Sequence, residues 1–293
     1  MMRLKISTLK IQNSLLFSQD ILWEDLDGSD STSRERGKMN CRIPLSSLSE
    51  EKFAQVICYP KFDSKEFKKR LCEMKKLGIK ALCFVGEKKV GETSVLGKGH
   101  VGIVVLAYTD SGYAALKIRR TDSDRETMKH EADMLKIANS VKIGPRLISY
   151  TQNLLLMDFI KGLLLPAWIE KVKREKNTAE RLREVLSDLL EQCWRLDRAG
   201  LDHGELSRAS KHIIVDHKDN PWILDFETAS IMRRVSNVTS ICQFLFIKGE
   251  TAKTINNVLR SVDRDELIFL LRRYKNKPTR KNFELLKNAL LTA

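Results

Sequence analysis

Apolar positions along this chain change period several times, and each change predicts an element. Between Pro44 and Leu77 the spacing is helical: Ser47 or Ser49 can cap one helix, and Phe67, Leu71, Met74 and Leu77 line a second. Lys80-Ala81-Leu82-Cys83-Phe84-Val85 then reads as a strand. Val95 and Leu96 precede a glycine-rich stretch, and the β-branched run Ile103-Val104-Val105-Leu106 follows it, which predicts a β-hairpin rather than a strand passing into a helix. Tyr113 to Ile118 predicts one more strand, and a helix follows over Ser123–Ala138 with Met128, Met134, Leu135 and Ile137 on its apolar side. Leu182, Val185, Leu186, Leu189, Leu190 and Cys193 recur at i, i+3 and i+4 on a long amphipathic helix, which Thr178 can cap and Gly200 ends. Ile213-Ile214-Val215 and Trp222-Ile223-Leu224 are short strands about a turn-rich link. Val238 to Ile247 predicts a buried helix, and Asp263 with Glu266 forms a capping box before Leu267, Leu270 and Leu271. Residues 19 to 40 are polar enough for a flexible linker. Strands early and helices late make an α+β chain.

The hairpin turn carries chemistry. Gly97-Lys98-Gly99-His100-Val101-Gly102-Ile103-Val104 is a full GxGxxGxV loop, whose glycines let backbone lie over phosphates without Cβ clashes. A helix should follow the third glycine in a dinucleotide-binding loop, and the β-branched run argues against one. Lys117 sits in the apolar strand Ala114-Ala115-Leu116-Lys117-Ile118, where an ammonium is costly unless it faces an anion. Glu131, on the next helix, can be that anion. Downstream, His203-Gly204-Glu205-Leu206-Ser207 follows the long helix, and Asp225-Phe226-Glu227 ends the second short strand.

In order and spacing, these motifs resemble the protein-kinase-like superfamily. His-Gly-Glu-Leu, set beside the family's HGDLS, is most similar to the atypical RIO kinases and to the small kinase of the KEOPS tRNA-modification complex. The similarity covers roughly residues 80 to 250. It implies a bilobal fold, with a β-rich N-lobe carrying one helix (91–161), in which Leu154 to Gly162 resembles the last strand plus the hinge, and a mainly helical C-lobe with a basic tail (162–293); the pattern ahead of it adds an N-terminal extension with linker (1–40) and a small helical module (41–90). Carried over residue by residue, the resemblance implies that Gly97, Lys98, Gly99, Gly102, Val104, Ala115, Lys117 and Glu131 bind ATP with the Asp158–Phe159 hinge. Lys117 grips the α- and β-phosphates, Glu131 pairs with it, and Asp225 holds Mg²⁺ or Mn²⁺. Glu205 takes the place of the catalytic aspartate, one methylene longer. The second metal ligand, normally asparagine, falls on His212 when counted back from Asp225 and on Ser210 when counted forward from Glu205. Imidazole suits manganese better than magnesium. No Ala-Pro-Glu follows Asp225, which argues against an ordinary peptide platform. The implied activity is an ATP-dependent serine/threonine phosphotransferase, acting on itself or a partner, or an ATPase. A pseudokinase and a small-molecule phosphotransferase stand as alternatives.

Composition adds a setting. With 293 residues, 42% of them hydrophobic, the chain can bury a bilobal core. It carries no run of roughly 20 apolar residues and no leader-like start, and its six cysteines are scattered without a CxxC pair. These features predict a cytoplasmic protein with reduced thiols and no zinc site. The net charge of +14, crowded towards the C-terminus, is compatible with an RNA-containing partner such as a ribosomal or tRNA-processing assembly. Few aromatics lie among those charges, which weakens single-strand binding.

Overall fold

The computed structural model describes residues 41–259 and 263–291. Strand β1 (Ile43–Pro44) leads to helices α1 (Glu51–Ile57) and α2 (Ser64–Lys76), then β2 (Ile79–Cys83) and the small hairpin β3 (Lys88–Val90) and β4 (Thr93–Val95). The glycine loop joins β5 (Gly97–Lys98) to β6 (Gly102–Thr109), and β7 (Gly112–Arg119) runs back beside β6. Helix α3 (Lys129–Ser140), β8 (Leu147–Tyr150) and β9 (Leu154–Asp158) complete this half. Six of these strands order as β1-β2-β6-β7-β9-β8, with β5 added to β6, and all pairings are antiparallel.

Alternation across β7 gives the sheet two working faces. Leu116 and Ile118 enter a core with Phe53, Ile57, Phe67 and Met74 from α1 and α2, so Lys117 between them points to the opposite face. Polar anchors fix α2: Glu73 accepts from the Asn153 amide at 3.0 Å and its side chain at 2.8 Å, and buried Arg70 donates to Glu66 at 2.8 Å. Residues 41–90 thus provide two helices and also strands of the large sheet, because Ile79 and Leu82 share the α1–α2 core.

The helical half follows. It contains β10 (Gly162–Leu164), α4 (Leu165–Val172), α5 (Thr178–Arg198), β11 (Ile213–Asp216), β12 (Pro221–Ile223), α6 (Asn237–Cys242), α7 (Glu250–Leu259), α8 (Arg264–Asn276) and α9 (Arg280–Leu291). Its core forms around α5, whose buried residues Leu182, Val185, Leu186, Leu189, Leu190 and Cys193 are those the periodicity selects. Gly200, at φ +71°, supplies the left-handed turn that ends α5 and starts the segment leading to Glu205.

Several expected ends shift for local reasons. Helix α3 starts at Lys129 rather than Ser123: the Arg125 and Lys129 amides donate to the Ser123 and Thr127 hydroxyls at 3.1 and 3.2 Å, holding this stretch in turns. Thr178 opens α5 without capping it, its hydroxyl donating to the Val172 and Glu175 carbonyls. Neither Ser47 nor Ser49 caps α1, whereas Asp63 caps α2 through the Glu66 amide at 2.7 Å. Residues 238–247 are not one regular helix, since α6 gives way to a π-turn over Gln243–Ile247. Asp263 caps α8, accepting from the Asp265 and Glu266 amides at 2.9 and 3.2 Å. The expected linker at 19–40 lies outside the described residues. Among the described residues no helix is long and apolar enough to cross a membrane.

Candidate functional site

Lys117 is buried where the two halves meet. Its ammonium lies 2.9 Å from the Glu131 carboxylate on α3, 2.8 Å from Asp225 Oδ1 and 2.8 Å from Glu227 Oε2, both just after β12. Burial opposes the ammonium, but the three acids outweigh it and hold Lys117 well above the usual lysine range. Burial pushes the Glu131 carboxyl up to about 7 against the pull of Lys117, with Asp225 and Glu227 adding repulsion. For Asp225 the balance reverses: burial works against its charge, and Lys117 more than compensates, leaving its carboxyl below the ordinary value.

Val104 is the cross-strand partner of Lys117, and Ala115 lies two residues before it on β7, so the three share one face of the sheet. Gly102 approaches this point closely: a Cβ there would lie 2.9 Å from the Ile118 carbonyl oxygen and 3.0 Å from Lys117 Cγ. Gly97 and Gly99 have room for a Cβ, so only the third glycine is sterically required by the chain's own packing. Within the loop the Gly99 amide donates to the Gly102 carbonyl at 2.9 Å, Arg120 donates to the Gly99 carbonyl at 3.2 Å, and the Lys98 ammonium lies over the Tyr59 ring. Asp158 ends β9 opposite Ala114, with its carboxylate 3.2 Å from Arg146, and Phe159 follows it.

The second group surrounds Asp225 from the other side. Glu205, His212 and Asp225 each place one ligating atom within 4.8 Å of the others. His212 Nε2 lies 3.2 Å from Glu205 Oε2, and Nδ1, buried without a hydrogen-bond partner, lies 3.8 Å from Asp225 Oδ2. A 3-10 turn over Leu206–Lys211, kinked at Arg208, brings this about: it returns the chain so that His212 enters β11 beside Glu205. Ser210 is exposed on that turn and makes no hydrogen bond to the group, so of the two expected second ligands the structure brings only His212 into place. Asp225 adopts φ +68°, a conformation costly for a non-glycine residue and a mark of an over-determined site. Fully buried His203 supports this turn: its Nε2 meets the Leu224 carbonyl at 2.9 Å and its ring packs on Phe226. Burial lowers the His203 imidazole to about 4, so it is neutral there.

Residues 104–236 match the RIO domain model. Over 114 residues the chain is 31% identical to the uncharacterized protein MJ1211 of Methanocaldococcus jannaschii, a stretch covering 39% of this chain and 91% of that protein. The chain belongs to the RIO-domain family. This family is atypical and protein-kinase-like, and its members are generally kinases or ATPases that use ATP and Mg²⁺. The matched RIO segment contains Lys117, Glu131, Asp158, Glu205, His212 and Asp225, while the glycines of the loop precede it.

The RIO segment also holds site residues that pattern reading passed over. Glu227 occupies a position where protein kinases carry a glycine, and the turn at Asp225 directs both acids to one ammonium. Its signal was the acidic third residue of Asp225-Phe226-Glu227. Arg125 donates to the Glu227 carbonyl at 3.1 Å, and His130 Nε2 lies 3.0 Å from the Ala229 carbonyl, tying the edge of α3 to the segment after β12. No sequence period marks these two.

Proposed function

We propose that this chain is an ATP-binding atypical kinase or ATPase, with the bilobal kinase-like arrangement and its nucleotide between the β-rich and helical halves. One observation carries the reading: a lysine on a buried strand meets acids from α3 and from the turn after β12 at 2.8–2.9 Å, so charge from both halves converges on one point. In this role Lys117 binds the α- and β-phosphate oxygens, with Glu131 fixing its direction. The loop Gly97–Gly102, with Lys98, Val104 and Ala115, covers the nucleotide, and the backbone at Asp158 and Phe159 meets adenine. Asp225 and His212, whose buried Nδ1 has no hydrogen-bond partner, fit a divalent cation, with Glu205 beside the other ring nitrogen. Such a cation, once bound, neutralises phosphate charge during transfer. Glu205 orients the acceptor hydroxyl, on a serine or threonine or on water, and takes its proton on a carboxylate oxygen.

Incubation with γ-labelled ATP and Mg²⁺ or Mn²⁺, with and without ribosomal RNA, tests this. Label on protein, or released phosphate, that disappears in Lys117→Ala and Asp225→Asn is the expected result. Failure to bind ATP at millimolar concentration would overturn the reading.

One observation favours a second reading, that of a pseudokinase. Glu227 competes for Lys117 where phosphates would bind, and Glu205 is longer than the usual aspartate. ATP binding without hydrolysis or transfer under either metal would select it.

A further inference from the structure

We infer that the cation site beside Asp225 is a nitrogen-containing one, in which His212 is a direct ligand, Glu205 sets its orientation, and the pair selects a first-row transition dication such as Mn²⁺ over Mg²⁺. This deepens the phosphotransfer reading and rests on it for what the cation does.

The imidazole lies between two carboxylates at unequal distances. Nε2 is 3.2 Å from Glu205 Oε2, where that negative charge favours the tautomer carrying the proton on Nε2. The lone pair then belongs to Nδ1, which is buried and without a hydrogen-bond partner. Nδ1 stands 3.8 Å from Asp225 Oδ2, too far for a hydrogen bond and within the span of two metal–ligand bonds of about 2.1 Å each. A histidine that offers one nitrogen to a metal and directs the other at a carboxylate is the usual way such a ligand is oriented. A buried lone pair with no partner is otherwise costly.

The same geometry gives two departures from the kinase pattern a single cause. An aspartate at 205 would be one methylene shorter, and the kinked turn over Leu206–Lys211 sets the ligand seven positions after the acid. The longer Glu205 side chain reaches His212 across this turn. Magnesium prefers oxygen ligands and keeps its waters, whereas imidazole nitrogen binds more strongly along the first transition row. Replacing an amide oxygen by a ring nitrogen therefore shifts preference away from Mg²⁺.

The test uses the full chain, uniformly labelled with ¹⁵N, and Mn²⁺ alone and with unlabelled ATP. Pulsed electron paramagnetic resonance reads whether bound Mn²⁺ couples directly to a protein nitrogen, and adenine cannot contribute a ¹⁵N signal. Competition with Mg²⁺ gives the preference, and calorimetry measures ATP binding separately. Expected are a ¹⁵N coupling in the wild type, its loss in His212→Asn, and at least a tenfold fall in the Mn²⁺-over-Mg²⁺ ratio in that variant. Glu205→Gln is expected to weaken the coupling while Mn²⁺ still binds. Bound Mn²⁺ without ¹⁵N coupling, no Mn²⁺ binding at millimolar concentration, or an unchanged ratio in a folded His212→Asn protein would overturn the inference. The wild-type spectrum decides even if the variants do not fold. Coupling without ATP binding would support the cation site and remove the phosphotransfer reading, so the two fail separately.

Discussion

Replacing Lys117 by methionine leaves three acids facing one another. Each contact of 2.8–2.9 Å to the ammonium is worth about 6 kcal/mol of gross attraction at an effective dielectric of about 20. The carboxylate oxygens of Glu131, Asp225 and Glu227 lie within 4.8 Å of one another, so each charged pair repels by at least about 3.5 kcal/mol on the same scale. Asp225 is one-third exposed, and its share is reduced by solvent. Desolvation already paid by the ammonium offsets much of the gross attraction, and removal of one partner from a buried ion group typically costs 3–5 kcal/mol. We expect Lys117→Met to lose about 3–5 kcal/mol at pH 8. In the variant the acids are pushed above their ordinary values, so the folded state retains protons that the unfolded chain has released. Stability is therefore recovered as pH falls towards the carboxylate range, and the deficit at pH 5 should shrink to below about 2 kcal/mol. Adding Glu131→Gln should return at least about 1 kcal/mol at pH 8, since contacting residues couple on this scale. Urea denaturation followed by circular dichroism at the two pH values measures all of this. An equal deficit at pH 5 and pH 8, or one under about 1 kcal/mol at pH 8, would refute the picture of an ammonium holding like charges together.

Gly102→Ala places a methyl against the Ile118 carbonyl and the Lys117 stem; a stability loss of about 1–3 kcal/mol with weakened ATP binding is expected by denaturation and calorimetry. Relative to Glu131→Gln, the wild type should lose about 3 kcal/mol as pH rises from 4.5 to 7, because folded Glu131, raised to about 7, keeps a proton that the unfolded chain has lost. Neutral His203, lowered to about 4, contributes a slope of opposite sign that removes stability as pH falls, in wild type and variant alike; chemical denaturation of both proteins across this range reads the Glu131 contribution as their difference, and a flat difference would sink the assignment. The sulfur atoms of Cys41 and Cys83 lie 2.7 Å apart, so mild oxidation should link them, with a 2 Da mass loss expected from the chemistry and about 4 kcal/mol of added stability from closing the loop. Burial raises the Cys83 thiol, so this reaction should quicken with rising pH, as read by mass spectrometry.

What could be read in the sequence was whatever a local period or a misplaced charge reveals. Lys117 was visible because an ammonium in an apolar strand demands a counter-ion, and Glu131 because helical phase carries it to the side of Met134 and Leu135. The phase survived even though α3 begins six residues late, since hydroxyl-to-amide bonds at Ser123 and Thr127 alter the entry and not the register. Glu227 stayed hidden for the complementary reason. Its direction depends on the left-handed backbone at Asp225, and no pattern of polar and apolar positions encodes a φ of +68° at a residue other than glycine. Counting failed similarly between Glu205 and His212, where the kink at Arg208 changes how many residues span a fixed distance. These two blind spots lie on either side of Asp225, where the chain departs from the kinase pattern. After Phe226, where the protein-kinase pattern has glycine, an acid engages Lys117, and before β11 an imidazole brings a buried, unpartnered Nδ1 to Asp225. The framework is set by periodicity and can be inherited with little change; the chemistry is set by backbone turns one residue long, where a single substitution redirects a charge without disturbing any element around it.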